Sequence, residues 1–227
     1  ASDVYKRQVP DKRILARVNF NYFMFRDGDG VAFLGNDGTM KSALGSNIYS
    51  DWGVNHEIGH VMQMRPQLTW GGMTEVSNNL FTMYVATQAG MPSRLSKSKN
   101  YERAFANVLD AAEKPFIMCV KDPFEKLVPF WQIYLYAKEK GYADFYADLM
   151  EHMRNTPHKG TGNQSINNMY EYAKATCDLL KTDLTDFFEA WGFFVTGEFR
   201  IGDYANYDFK VTPEMVEDTR KYIASKK

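Results

Sequence analysis

Two histidines four residues apart, in the run His56-Glu57-Ile58-Gly59-His60, constrain this chain more than any other feature. Four residues is about one helical turn, so on an α-helix both imidazoles stand on one face and can converge on a single metal ion, while Glu57 points to the side. That is the arrangement of a zinc hydrolase site. The chain holds four His and twelve Glu, so an accidental H-E-x-x-H run is expected only about 0.004 times in a sequence of this composition. A purely structural helix carrying the same run is the alternative.

Catalytic zinc keeps three protein ligands, so a third must come from elsewhere. The metzincin extension would need Gly at position 63 and His at position 66, where this chain has Gln63 and Pro66, and that class is excluded. Between His60 and Glu102 the only acidic residue is Glu75, and no histidine occurs there. His56, His60 and Glu75 then form a two-histidine, one-glutamate set of the gluzincin kind. Taken alone, Glu75 also reads as an acid favoured by the dipole of a helix N-terminus.

Glu57 is the candidate general base and then acid, activating zinc-bound water and passing the proton to the leaving amine. Gly59 has no side chain, which allows a close approach of the helix to a neighbouring backbone or to substrate. Ligating histidines generally give their second ring N–H to an oxygen. Asn79, one turn after Glu75, is the candidate partner and Asn78 a less well placed one; either is also an ordinary polar helix position.

The chain reads as one catalytic domain over 1–227, mainly α (α+β), with a small β region over 1–45 and a helical region over 46–227. Ile14 to Phe25 mixes β-branched and aromatic residues, Arg26-Asp27-Gly28-Asp29-Gly30 supplies turn chemistry, and Val31-Ala32-Phe33-Leu34 follows as a second strand. Gly35-Asn36-Asp37-Gly38 reads as a turn closing that region. Ser46 or Asn47 can cap the helix carrying the histidines, which must end by Arg65 because Pro66 disfavours helical geometry before it. Thr74 is the expected cap of the next helix, which stops at Gly90. Further helices are expected at about 100–114, 123–140, 142–155, 164–181, 183–194 and 213–225.

A net charge of -1 indicates no pull toward nucleic acid or anionic membrane. No run of 18 apolar residues exists to span a bilayer. Beginning at Ala1 without a signal-peptide core, the chain reads as a piece of a longer protein, truncated at its N-terminus. Cys119 and Cys177 can be two buried thiols or one disulfide; sequence does not pair them.

The run H-E-x-G-H, a gap of 14 residues, and then Thr74-Glu75-Val76-Ser77-Asn78-Asn79-Leu80-Phe81 resembles the enhancin-like metallopeptidases, peptidase family M-sixty, which include gut-bacterial mucin-degrading enzymes. Looser similarity continues through Pro129-Phe130-Trp131-Gln132, Asp144-Phe145-Tyr146 and Phe187-Phe188-Glu189-Ala190-Trp191-Gly192. The resemblance implies a gluzincin fold, a zinc cofactor, and a protein or glycoprotein substrate of O-glycosylated mucin type, cut outside a bacterial cell or at its surface. Because the family domain usually has more sequence before the motif, part of the cleft, including an edge strand, is expected to be missing.

Gluzincins need a group to stabilise the developing oxyanion, commonly Tyr or His. His152, His158 and Tyr170 are the candidates by residue type, and His158 in its loop is also a candidate substrate-binding residue. Trp70, between the two ligand segments, can stack on a sugar ring or plug the core. Trp131, Tyr134, Tyr136 and Trp191 are spaced for core packing. Two functions from different classes follow: a zinc endopeptidase acting on secreted glycoproteins, or a non-catalytic glycoprotein-binding module of the same fold. The presence of Glu57 favours the enzyme, since a binder needs no base. A zinc aminopeptidase is a weaker third, because the upstream exopeptidase signature is missing.

Overall fold

The computed structural model describes residues 14–45, 51–111, 115–119 and 122–226. It is mainly α, with a small β region near each end of the chain. At the N-terminal side, β1 (Ala16–Asn19), β2 (Met24–Asp27) and β3 (Gly30–Leu34) form a sheet in the order β1-β3-β2. β1 runs parallel to β3, and β2 pairs with β3 antiparallel across a tight turn in which Gly28 takes φ +58°. The stretch from Ile14 to Phe25 is therefore two strands rather than one. Asn19 interrupts it: its Oδ1 accepts from the backbone N–H groups of Asn21 (3.0 Å) and Tyr22 (2.8 Å), a local turn that competes with strand pairing.

Asn36 does not close a simple turn either. Its side chain accepts from Thr39 N–H at 2.9 Å and so caps a short helix, α1 (Asp37–Ala43). The histidine-bearing helix α2 (Trp52–Met62) begins with Asp51, whose carboxylate accepts from Val54 N–H at 2.8 Å. The expected caps Ser46 and Asn47 lie outside the described residues. On one side α2 buries Val54 and Val61 against Val31 and Phe33 of the sheet; on the other it packs along α3 (Thr74–Gln88).

Past α3 the chain forms short helices α4 (Arg94–Lys97) and α5 (Asn100–Ala104), a π-helical turn (Phe105–Leu109) and α6 (Phe116–Cys119). The long helix α7 (Pro123–Glu139), capped by Asp122, then crosses α3. α8 (Phe145–Asn155), α9 (Asn167–Leu180) and α10 (Thr185–Ala190) complete the helical body. Its core is ring-rich: Phe130 lies 5.0 Å from Tyr172, and Phe116 stacks on Phe193 at 4.6 Å between centroids. Trp131, Tyr134 and Trp191 are buried there, as their helical spacing predicts. Cys177 is a buried free thiol, pushed up to about 12 by burial.

The helical reading of 46–227 misses a hairpin. β4 (Gly197–Gly202) and β5 (Asn206–Val211) pair antiparallel, with Phe199 opposite Phe209, Ile201 opposite Tyr207, and Arg200 opposite Asp208. The alternation is a strand signal, but each strand holds only six residues among stronger helical signals. A last helix, α11 (Pro213–Ala224), follows with Thr212 as its cap. Within the described residues no helix is long and apolar enough to cross a membrane.

Candidate metal centre

Helix α2 sets the two histidines on one face, and their rings meet edge to face with centroids 4.8 Å apart. Glu75, in the first turn of α3, brings one carboxylate oxygen to both: Oε2 lies 3.0 Å from His56 Nε2 and 3.3 Å from His60 Nε2. The ligand atoms of the three residues all fall within 4.8 Å of one another. A tetrahedral ion with ligand distances of about 2.0 to 2.2 Å needs donor separations of roughly 3.3 to 3.6 Å. The Glu75–His60 separation of 3.3 Å meets that span and the Glu75–His56 separation of 3.0 Å falls a little under it; two imidazoles with one carboxylate suit zinc.

The helices approach closely enough to achieve this because residue 59 is glycine. A Cβ there would stand 2.5 Å from the carbonyl oxygen of Asn78 on α3. Asn79 sits where expected: its Oδ1 accepts from His56 Nδ1–H at 2.9 Å, and its Nδ2 donates to the Glu75 carbonyl at 2.8 Å. Asn78 is also close, with Nδ2 3.1 Å from His60 Nε2 and 3.2 Å from His56 Nε2. Gln63, just past the end of α2, is a neighbour that sequence inspection passes over; its Oε1 lies 3.3 Å from His60 Nδ1.

Glu57 is only 5% exposed and points toward the sheet. Burial raises its carboxyl above the ordinary value, partly opposed by the two histidines, and the backbone N–H of Arg26 donates to it. That contact comes from β2, which among the described residues pairs only with β3 and so stands at the edge of the sheet. Burial works against a charged His56, but hydrogen bonds with Glu75 and Asn79 outweigh it and raise its pKa. Burial likewise opposes ionisation of Glu75, yet its contacts with His56 and His60 and the hydrogen bond from Tyr204 hold it well below the usual carboxylate range.

The centre opens into a cavity of about 610 Å³, lined among others by Phe23 to Arg26 of the sheet region, Trp52, Arg65, Phe124 and Tyr204. Tyr204 is contributed by the tip of the β4–β5 hairpin and takes a left-handed φ of 55°. Its hydroxyl donates to Glu75 Oε1 at 2.7 Å, and that bond, with partial burial, pushes the phenol up to about 12. The adjacent Asp203 ties the hairpin down: its Oδ2 accepts from Gly72 N–H (2.9 Å) and Thr74 N–H (3.1 Å). This long-range carboxylate serves the N-terminus of α3, so Thr74 is the first helical residue rather than the cap.

Other sequence candidates are placed elsewhere. Trp70 is 0% exposed and packs 6.2 Å from both Phe130 and Tyr172, so it plugs the core and cannot stack on a sugar. His152 and His158 line a separate small cavity with Gln67 and Asn168, and His158 Nδ1 accepts from Gly160 N–H. Tyr170 is buried and donates to the Phe193 carbonyl at 3.2 Å. The aromatic group that does reach the metal centre, Tyr204, is 129 residues from Glu75 in sequence, and no local pattern marks it.

Comparison with known proteins agrees with this geometry. A metallopeptidase structure in complex with Tn antigen is 26% identical, with a TM-score of 0.74 over 90% of this chain and 39% of its own. A metallopeptidase from Bacteroides thetaiotaomicron is 25% identical, with a TM-score of 0.74 over 90% of this chain and 35% of its own. The M60 catalytic domain of Clostridium perfringens ZmpC, solved with the sialyl T antigen, shares the fold at 20% identity, with a TM-score of 0.63 over 94% of this chain and 36% of its own. This chain thus spans well under half of each solved chain. Curated proteins give no match. The family model described as peptidase M60, enhancin and enhancin-like, matches residues 37–192. With both histidines, Glu75 and most of the helical body inside that match, the chain belongs to the peptidase M60 family of enhancin and enhancin-like proteins.

Proposed function

We propose that this chain is the catalytic part of a zinc-dependent endopeptidase that hydrolyses peptide bonds in secreted, O-glycosylated mucin-type proteins, outside a bacterial cell or at its surface. The observation that carries the reading is the convergence of His56, His60 and Glu75 at one point, with Glu57 beside it in the same cavity. The three residues would hold zinc, which supplies Lewis-acid polarisation of a peptide carbonyl and of water. Glu57, oriented by the Arg26 N–H, takes a proton from the attacking water at its carboxylate and returns it to the departing amine. Its buried setting raises its proton affinity toward what such a shuttle needs. Tyr204, whose hydroxyl already lies at the centre, is the donor to charge developing on the carbonyl oxygen. An extended peptide can lie along the outer edge of β2, where main-chain groups face the cavity.

The glycoprotein substrate is supported by relatives solved with Tn antigen and sialyl T antigen. A binding module has no use for the buried carboxylate of Glu57, whose desolvation is a cost without a catalytic return. The test is zinc content together with cleavage of a mucin-type glycoprotein, comparing the native chain with Glu57→Ala. Stoichiometric zinc in both, with hydrolysis only by the native chain, is the expected result. Hydrolysis untouched by the substitution sinks the mechanism, and a folded sample without zinc sinks the site.

A further inference from the structure

Every hydrogen-bonding group of the Gln63 side chain is used. Where α2 ends, the backbone turns extended at Gln63 and places its amide beside His60, only 5% exposed. Gln63 Nε2 donates to the Thr74 carbonyl at 2.8 Å and to Ser77 Oγ at 2.6 Å. Ser77 Oγ itself donates to the Met73 carbonyl at 3.3 Å, so it meets Gln63 as an acceptor. Two acceptors on one side of the amide fix which end is nitrogen. Oε1 must then be the atom facing His60 Nδ1 at 3.3 Å, and Arg65 Nη2 donates to that same oxygen at 2.8 Å. An amide oxygen only accepts, so a hydrogen shared with it sits on Nδ1; the Glu75 carboxylate faces Nε2 at the same 3.3 Å and competes for that proton until a metal takes the Nε2 lone pair.

We propose that Gln63 is a positioning residue for His60: it locks the imidazole in the Nδ1–H tautomer and thereby presents the Nε2 lone pair to the metal. Arg65 braces the amide from the cavity side. Asn79 plays the same part for His56, with its amide nitrogen tied to the Glu75 carbonyl. Thr74, Ser77 and Asn79 all belong to α3, so the helix that supplies the carboxylate also sets the tautomers of both histidines on α2. The proposal rests on the metal reading of His56, His60 and Glu75 and extends it to a residue outside the H-E-x-x-H run.

The test is nitrogen-15 NMR of the histidine side chains in metal-free Glu75→Ala protein, which lacks the competing acceptor at Nε2, at about pH 8.5, where an ordinary imidazole is neutral, together with zinc titration of the native protein and two variants. His60 is expected as Nδ1–H in the Glu75→Ala protein. Gln63→Met should release that tautomer and weaken zinc binding about 10- to 100-fold. Gln63→Glu, which keeps an acceptor oxygen, should hold the tautomer and recover most of the affinity even where its melting temperature drops. A merely structural role would lower the melting temperature of both variants and leave zinc affinity unchanged, and that outcome overturns the proposal. So does an Nε2–H His60 in the Glu75→Ala protein, which decides the matter even if Gln63→Met fails to fold. Failure of native protein to bind zinc would strike the metal reading, whereas the tautomer measurement bears on Gln63 alone.

Discussion

At the scale of single residues, the centre joins groups whose environments push them in opposite directions. Glu75 is held ionised by its hydrogen bonds, while Glu57, on the neighbouring helix α2, is raised by burial. In the unfolded chain Glu57 titrates near its ordinary value of 4.5. The native state therefore binds that proton more tightly, and stability falls as pH rises through the interval between the two values. Glu57→Gln removes this cost: calorimetry on metal-free protein should show a higher melting temperature than native at pH 7, with the difference closing at about pH 3, where both forms are neutral. Tyr204→Phe should lower kcat about 100- to 1,000-fold with little change in KM, as loss of one oxyanion donor does. His56, Glu57 and His60 are legible from spacing alone, and Glu75 by elimination. Tyr204 and Gln63 are not, because one arrives through tertiary contact and the other is an ordinary polar residue until its amide orientation is seen.

Among the elements, the contact between α2 and α3 decides whether the centre exists. Gly59→Ala would drive a Cβ to 2.5 Å from the Asn78 carbonyl, a backbone atom that cannot step aside cheaply. We expect a loss of about 1 to 3 kcal/mol, seen in denaturant unfolding, together with weaker zinc binding as the helices part. The β4–β5 hairpin is the second decisive element, since Asp203 and Tyr204 both come from its tip. Asp203→Ala should cost about 1 kcal/mol through the lost cap of α3, and free Tyr204 to leave Glu75. Helix boundaries were largely legible, because Asp122, Pro123, Gly90 and Thr212 are local signals. The alternation of the hairpin is present but short beside the helical signals around it, and the start of α1 reads as a turn because Asn36 serves turns and N-caps equally well.

For the molecule as a whole, the small sheet and the helical body are separate apolar clusters with α2 between them, so the histidines sit on the element that joins the two. Zinc held there would stabilise the native state by about 4 kcal/mol at a free concentration of 1,000 times Kd. For a chain of this size that corresponds to roughly 8 to 16 °C in melting temperature; chelation should remove the gain and Glu75→Ala should abolish it. The mainly α architecture was legible from the helical signals after residue 46, and the metallopeptidase family through the resemblance of H-E-x-G-H, the gap and the run from Thr74 to Phe81, whereas on the proposed function substrate choice would depend on cavity walls drawn from Phe23 to Tyr204. The most direct measurement is anomalous diffraction at the zinc edge from crystals grown with one equivalent of zinc. A single peak about 2.0 to 2.2 Å from His56 Nε2, His60 Nε2 and a Glu75 carboxylate oxygen is the predicted result; a featureless map at that point, with zinc bound elsewhere, would contradict the account.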